Sequence, residues 1–360
     1  MNLEDIAKKA GVSRSTASRV INADPNVSKG TRERVLAVIA QENFHPNAAA
    51  RTLVTRRTEV IGVVIPTPEN IFFTDNSYFP MLLAGLGEAT RERNYALLLW
   101  LGEVTDNDER LIGKISNHHL MDGLVIASLD SRHSLYSRLA ELRRPFVMID
   151  KPMNGAEQIS YVSIDNVRVG ELATEHLIKL GRRRIAHITG QMTTTDGYER
   201  FLGYKQALER HGLPFDEQLV HYGYFGRLAG YEGAKQLFPF KPDALFAAGD
   251  TIAIGVLQAA HEAGLHVPHD LSLVGVDDID VARTAIPQLT TIRQPVQRKG
   301  AVAAQTLIDL IEGKVSGPQH VLLPFELVIR GSCGALAGSQ LGAFSREPFL
   351  AQQSMQGGDA

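Results

Sequence analysis

The sequence predicts a small all-α unit at the N-terminus, followed by an α/β core of two doubly wound parallel-sheet subdomains. Three observations carry this. Residues 2–44 hold three short amphipathic segments at helical spacing, with a glycine between the first two. From Val60 to about residue 325, short apolar runs alternate with longer amphipathic ones, the βαβ rhythm of a parallel sheet. Charge divides at the same boundary. Residues 1–58 carry ten lysines and arginines against five acids, a net of +5, while the 360-residue chain is −3 overall, so the remainder is −8.

In the first segment Leu3, Ile6, Ala7 and Ala10 share a face, Asn2 can cap the start, and Glu4 and Asp5 lie at the positive end of the helix dipole. Gly11 permits the reversal into "SRSTASRVIN", where Ser13 can cap a second helix. Its inward face is Ala17, Val20 and Ile21, leaving Arg14, Ser15, Ser18 and Arg19 outside. A third helix over Thr31–Glu42 places Val35, Leu36, Ile39 and Ala40 on one face, with Phe44 closing the core beneath. Three helices with so little apolar area are marginal by themselves. Arginine and hydroxyl side chains at the N-terminal end of an exposed helix suit the major groove of DNA, whose base edges carry a distinct donor and acceptor pattern. The spacing reads as a helix-turn-helix, and the net charge of this end suits a polyanion.

In the core, "VIGVVIP", "YALLLWL", "DGLVIAS" and "PFVMID" read as strands, with helices near 81–93, 109–118 and 133–142 between them. After "YVSID" the rhythm resumes with helices near 167–180, 200–211, 229–237 and 252–263 and strands "RIAHITG", "LVHYGYF", "ALFAAGD" and "LSLVGVD". "TTIRQP", a helix near 300–311 and "VLLPFELVIR" then return to the first unit. Ligands of such sheets bind outside the carboxyl ends of the strands, so a crevice between two facing units is the expected pocket.

Other classes are disfavoured. There is no run of about 18 apolar residues and no signal-peptide pattern, so no membrane partner is expected. The single cysteine, Cys333, precludes an internal disulfide framework and fits a reduced, cytoplasmic setting. Neither phosphate-binding glycine motif occurs, His118 and His119 are adjacent rather than four apart, and no nucleophile accompanies Asp277 and Asp278. No catalytic residue, metal or cofactor is therefore expected. The end of the chain, 333–360, is rich in Gly, Ser and Gln and reads as a disordered tail.

The ordered series "LEDIAKKAGVSRSTASRVIN", "VSKGTRERVLAVI", "FHPNAAARTL", "SIDNVRVGELATEHLIKLGRRRIAHITG", "ERFLGYKQAL", "ALFAAGDTIAIGVLQAAHEAGLHVPHDLSLVGVDD", "PQLTTIRQP" and "ELVIRGS" resembles the LacI/GalR family of bacterial transcription regulators over residues 2–332. The resemblance implies a DNA-binding headpiece over 1–46 and a hinge helix and linker over 47–59. It implies a periplasmic-binding-protein-like core over 60–332, split into 60–160 plus 293–325 and 161–292, assembling as a homodimer or homotetramer. Arg14 and Ser15 match the positions that read bases, although phosphate contact competes for Arg14. Arg19 matches a later basic position that reaches DNA, and Ser13, Thr16 and Asn22 match phosphate contacts. Asn47 can cap a short helix whose Ala48, Ala49 and Ala50 permit close packing, and Leu53 matches the wedge that kinks the operator centre. A flexible linker with a stray leucine is the alternative.

For the effector, the resemblance points to Arg200 and Asp277, with Asp150 at another strand end, Phe225 as a stacking ring, Tyr78 and Phe79 on the other wall, Asp250, and Gln294 in the crossover. Carboxylate, guanidinium and aromatic together suit a neutral polyol. Gly249 stands where many members carry Asn or Ser, which leaves room for a larger ligand. With Phe72 and Phe73 in the preceding loop, a glycoside or oligosaccharide is favoured over a purine or nucleoside. The expected function is a repressor of carbohydrate-utilisation genes that binds a roughly palindromic duplex and is relieved by a sugar.

Overall fold

The computed structural model describes residues 2–21, 24–44, 57–65, 77–102, 113, 120–127 and 144–335. Apart from residue 113, the expected helices near 109–118 and 133–142 lie outside the described residues, as do the hinge over 47–56, Phe72, Phe73 and 336–360.

The N-terminal unit consists of α1 (Leu3–Lys9), α2 (Arg14–Ile21) and α3 (Lys29–Gln41). Asn2 closes a reciprocal capping box with Asp5, satisfying two orphan donors of the first turn. Gly11 turns the chain at φ +64°, a left-handed conformation that costs glycine nothing. Ile6, Ala7, Ala10, Ala17, Val20 and Val35 are buried, with Leu3, Val12, Val27, Val38, Ile39 and Phe44 around them. Leu36 is not part of this core. It is 47% exposed, because α3 turns Val35, Val38 and Ile39 inward instead.

The first sheet runs β2 (Ala96–Leu101), β1 (Val60–Ile65), β3 (Gly123–Ala127), β4 (Phe146–Ile149), β5 (Ser160–Ser163) and β11 (His320–Leu322), all parallel. The second runs β7 (Val220–His221), β6 (Ile185–Ile188), β8 (Ala244–Ala247), β9 (Ser272–Asp277), β10 (Thr290–Arg293) and β12 (Glu326–Val328), parallel except for antiparallel β12. The order 2-1-3-4-5 in each half is that of a doubly wound sheet, with its switch point between the first and third strands.

Against these sheets pack α4 (Tyr78–Glu92) and α10 (Val296–Ile311) in the first half. The second half carries α5 (Asn166–Lys179), α6 (Thr195–Arg210), α7 (Arg227–Leu237), α8 (Asp250–Glu262) and the short α9 (Asp280–Thr284). The pairs α4–α10, α5–α6 and α7–α8 meet backbone to backbone through a glycine on either side. A Cβ at Gly170 would run into the Arg200 carbonyl and one at Gly203 into the Val167 carbonyl; Gly85 and Gly300 do the same for α4 and α10.

Several expectations need correction. β5 pairs with β4, so the chain crosses to the second subdomain only after Ser163, not at residue 161. "TTIR" and Glu326–Val328 pair with each other in the second sheet; of the returning strands only His320–Leu322 joins the first sheet, on which α10 packs as expected. The reason is register. β10 continues the parallel ladder on β9, and β12 doubles back to cover its open edge. Cys333 is not tail: it is fully buried, and its carbonyl accepts from Ser272 Oγ at 2.7 Å.

Candidate DNA-reading helix and effector crevice

On the N-terminal unit, α2 presents its first turn outward. Ser13 Oγ accepts from the Thr16 amide at 3.1 Å, which caps the helix. Ser13, Arg14, Ser15 and Arg19 are exposed and Thr16 half-buried, while Ala17 and Val20 hold the other face. Arg19 is paired with Asp24 at 2.8 Å, so one member of the expected set has an internal partner. Asn22, Asn47, Ala50 and Leu53 lie outside the described residues.

In the core, the ends of both sheets converge on one cluster. Asp150, just past β4, and Asp277, closing β9, both sit at positive φ, +69° and +117°, which swings their carboxylates off the strand direction. Gln294, in the crossover after β10, donates from Nε2 to Asp277 Oδ1 at 2.6 Å and accepts on Oε1 from Lys299 Nζ at 2.8 Å. Lys299 also donates to Asp150 Oδ1 at 2.9 Å. Arg200 is buried. It donates from Nε to Asn166 Oδ1 at 3.0 Å and from Nη1 to the Ala248 carbonyl at 2.6 Å, and Nη1 lies 4.0 Å from Asp277 Oδ1.

The Arg200 guanidinium stands 5.7 Å from the centre of the Phe225 ring. That ring occupies the space over Gly190, and a Cβ at Gly249 would touch both it and Asp277 Oδ2, at 3.4 and 3.6 Å. A longer polar side chain at 249 would fill the space beside the ring, so the glycine keeps that face of the crevice open.

Burial sets the protonation of this cluster. It pushes Asp277 up to about 6 despite Arg200, Gln294 and Lys299, and raises Asp196, on the first turn of α6, although Arg200 opposes the shift. It lifts the Tyr78 hydroxyl well above its ordinary range, helped by Asp150, Asp277 and Asp196. Carboxyl, guanidinium, amide and phenol groups therefore line the crevice around a half-buried aromatic ring, which suits a ligand rich in neutral hydroxyls.

Tyr78, Asp150, Arg200, Phe225, Asp277 and Gln294 are thus brought together. Two expected residues are not ligand-facing. Phe79 is 5% exposed and belongs to the apolar core beneath Tyr78, because successive helical positions point in different directions. Asp250 is fully buried, its oxygens taken by the Ile279 amide at 3.1 Å and the Thr291 hydroxyl at 2.7 Å. Its carboxylate fastens the loop after β9 to β10, and burial, with Asp277 nearby, raises its pKa strongly. Arg200 also sits differently from the expected start of its helix: α6 begins five residues earlier than the sequence suggested, and Arg200 lies in its second turn.

Asp196, Asn166 and Lys299 went unnoticed in the sequence. Lys299 left a signal: it falls on the apolar row Val296, Gly300, Ala303, Ala304, Leu307, where a lysine is out of place unless it is paired. Among the described residues no group of three or more His, Cys, Asp or Glu is placed to hold a metal ion, and no helix is long and apolar enough to cross a membrane.

A helix-turn-helix unit joined to two facing doubly wound sheets with a polar crevice defines the class of ligand-responsive DNA-binding regulators. Comparisons place the chain within it. Residues 2–47 match the model for bacterial regulatory proteins of the lacI family, and residues 174–333 match a periplasmic binding protein-like domain. The HTH-type transcriptional regulator CelR of Thermobifida fusca is 39% identical over 333 residues, covering 92% of this chain and 97% of the relative. Among solved structures, a transcriptional regulator CelR–cellobiose complex superposes with a TM-score of 0.74 at 35% identity, covering 92% and 99% of the two chains. A lac repressor dimer bound to operator and the anti-inducer ONPF gives 0.79 at 27% identity, covering 92% and 98%. The chain belongs to the LacI family of bacterial transcriptional regulators.

Proposed function

We propose that the protein is a cytoplasmic, dimeric repressor, not an enzyme, that reads a roughly palindromic operator through α2 and releases it when the crevice takes up a neutral glycoside, with cellobiose as the first candidate. The observation that carries the ligand reading is the half-buried Phe225 ring, set against Gly190 and beside Gly249 and Arg200, with the Asp277–Gln294 pair at the same strand ends. A sugar ring stacks on the aromatic face, and its hydroxyls donate to Asp277 and Asp150 and accept from Arg200 and Gln294. The similarity to a regulator solved with cellobiose supports the same class. The ligand shifts DNA affinity only as far as it binds two core states unequally.

The test is a thermal-shift screen of mono- and disaccharides and nucleobases, followed by anisotropy on a palindromic duplex selected by the protein from a random pool. Stabilisation by a disaccharide that also weakens duplex binding supports the reading. Stabilisation by a nucleobase alone, or turnover of the sugar, defeats it.

Two further results are expected. Arg14→Ala should lose roughly 1–3 kcal/mol of discrimination at one base position if Arg14 reads a guanine edge, measured against duplexes substituted one position at a time. A uniform loss across all duplexes would assign Arg14 to phosphate.

The second concerns pH. A sugar hydroxyl that donates to ionised Asp277 binds the charged form better, so affinity should rise as pH climbs through about 6 and level off above it. Calorimetric titration of Asp277→Asn should show that slope gone. For folding the sign is opposite. The folded pKa lies above the unfolded 3.8, so Asp277 costs stability increasingly as pH rises from about 4 through about 6.

A further inference from the structure

Lys299 has no solvent exposure and lies on the first turn of α10. Its ammonium is held by Asp150 Oδ1 at 2.9 Å and Gln294 Oε1 at 2.8 Å, with the Tyr78 ring 5.9 Å away. A methionine at this place in the apolar row would be buried at far smaller desolvation cost, so stability of the fold does not account for the lysine. What the lysine does is orient an amide. With a cation on its oxygen side and Asp277 on its nitrogen side, the Gln294 amide has one favourable orientation. The bonds Asp150–Lys299–Gln294–Asp277 thereby tie the end of β4 in one subdomain to the end of β9 in the other.

The far end of the same helix meets the chain that leads to the DNA-reading unit. α10 runs 16 residues, about 24 Å at 1.5 Å per residue, to Ile311. The Ile311 carbonyl accepts from Arg57 Nη2 at 3.4 Å, and Arg57 is the first described residue after the 45–56 segment. The next two residues are fastened by Asp122: Oδ1 accepts from the Thr58 amide at 2.7 Å and the Thr58 hydroxyl at 2.8 Å, and Oδ2 from the Glu59 amide at 2.9 Å. One rigid element therefore touches the crevice through Lys299 and the linker exit through Ile311, with Asp122 holding that exit to the first sheet.

We infer that Lys299 is a positioning residue that transmits occupancy of the crevice along α10 to the linker, and that Asp122 is its counterpart at the linker end. A ligand that engages Asp277 and Gln294 draws on the amide, and the amide draws on the first turn of α10 through Lys299. The inference rests on the proposed reading that the crevice takes a neutral sugar.

The experiment uses the full-length protein, cellobiose, and the palindromic duplex selected by the wild type. Cellobiose affinity is measured by calorimetry, and duplex affinity by anisotropy without sugar and at saturating sugar. The ratio of the two duplex affinities reads the coupling, and for the wild type a ratio of roughly 5–150 is expected. Lys299→Met should bring it below about 2 at saturating sugar, whatever its cellobiose affinity, and Lys299→Arg should restore most of it. Asp122→Asn, far from the crevice, should keep cellobiose affinity within about twofold while lowering the ratio.

A Lys299→Met protein with the wild-type ratio at saturation overturns the inference and leaves Lys299 a part of the ligand site only. A wild-type ratio in Asp122→Asn overturns the role of the linker end. A wild type whose duplex affinity ignores cellobiose and every other sugar overturns the ligand reading itself, and this inference with it.

Discussion

Arg200→Ala is expected to abolish the response to ligand while the effector-free protein still binds its duplex. The side chain is buried, supports the Asn166 amide and the Ala248 carbonyl, lies against the Phe225 ring and stands 4.0 Å from Asp277. Truncating a buried arginine at the centre of a binding site costs about 2–4 kcal/mol, so ligand affinity should fall by roughly 30- to 1,000-fold. Two effects add. The ligand loses its planar donor, and Asp277 and Asp196 lose the charge that opposes their burial. Arg200→Lys separates them, because it keeps the charge but not the fork, and an intermediate affinity is expected. Calorimetry with cellobiose and anisotropy with the duplex check both halves; an Arg200→Ala protein still released from DNA by ligand would show that the pocket has been assigned to the wrong residues.

Asp278→Ala is expected to be the more damaging change for stability. Its side chain has no exposure and accepts from Arg293 Nε at 2.6 Å and from Arg330 Nη2, with Arg283 at 3.5 Å. Burial alone would raise this carboxyl, but the Arg293 and Arg330 bonds outweigh it and hold its pKa below 3.8. Removing the buried carboxylate costs about 3–5 kcal/mol, because Arg330, itself mostly buried, keeps its charge and loses its carboxylate partner, while Arg293 retains only the exposed Glu326 at 2.6 Å. Thermal unfolding of the core should shift downward on the order of 10 °C. The depressed pKa adds a sign: this contribution is complete above about pH 4 and is lost as pH falls below it. A melting curve within a degree of wild type would show that the three arginines find other partners.

Asp278 illustrates where sequence reading stops. Asp277 and Asp278 are neighbours in the chain and read as a pair of carboxylates. The positive φ values of +117° and +56° turn them into different surroundings, one facing Gln294 in the crevice and the other enclosed by arginines. Asp250 and Phe79 show the same limit. Each lies beside residues of the crevice in sequence, yet a single backbone step sends the side chain into the interior. Lys299 and Asn166 erred in the other direction, since a polar residue on a helix is ordinarily assigned to solvent.

What the sequence determined by itself is everything that depends on local periodicity and charge. The cap, turn and inner face of the helix-turn-helix, the alternation of strands and helices, and the basic and acidic halves all follow from spacings of two to four residues. The tertiary structure decided which side chains meet. Lys299 and Asp150 are 149 positions apart, and Gln294 meets Asp277 only because β10 pairs beside β9, so these bonds exist only once strands have paired, the two subdomains have met and burial has made unpaired charge expensive.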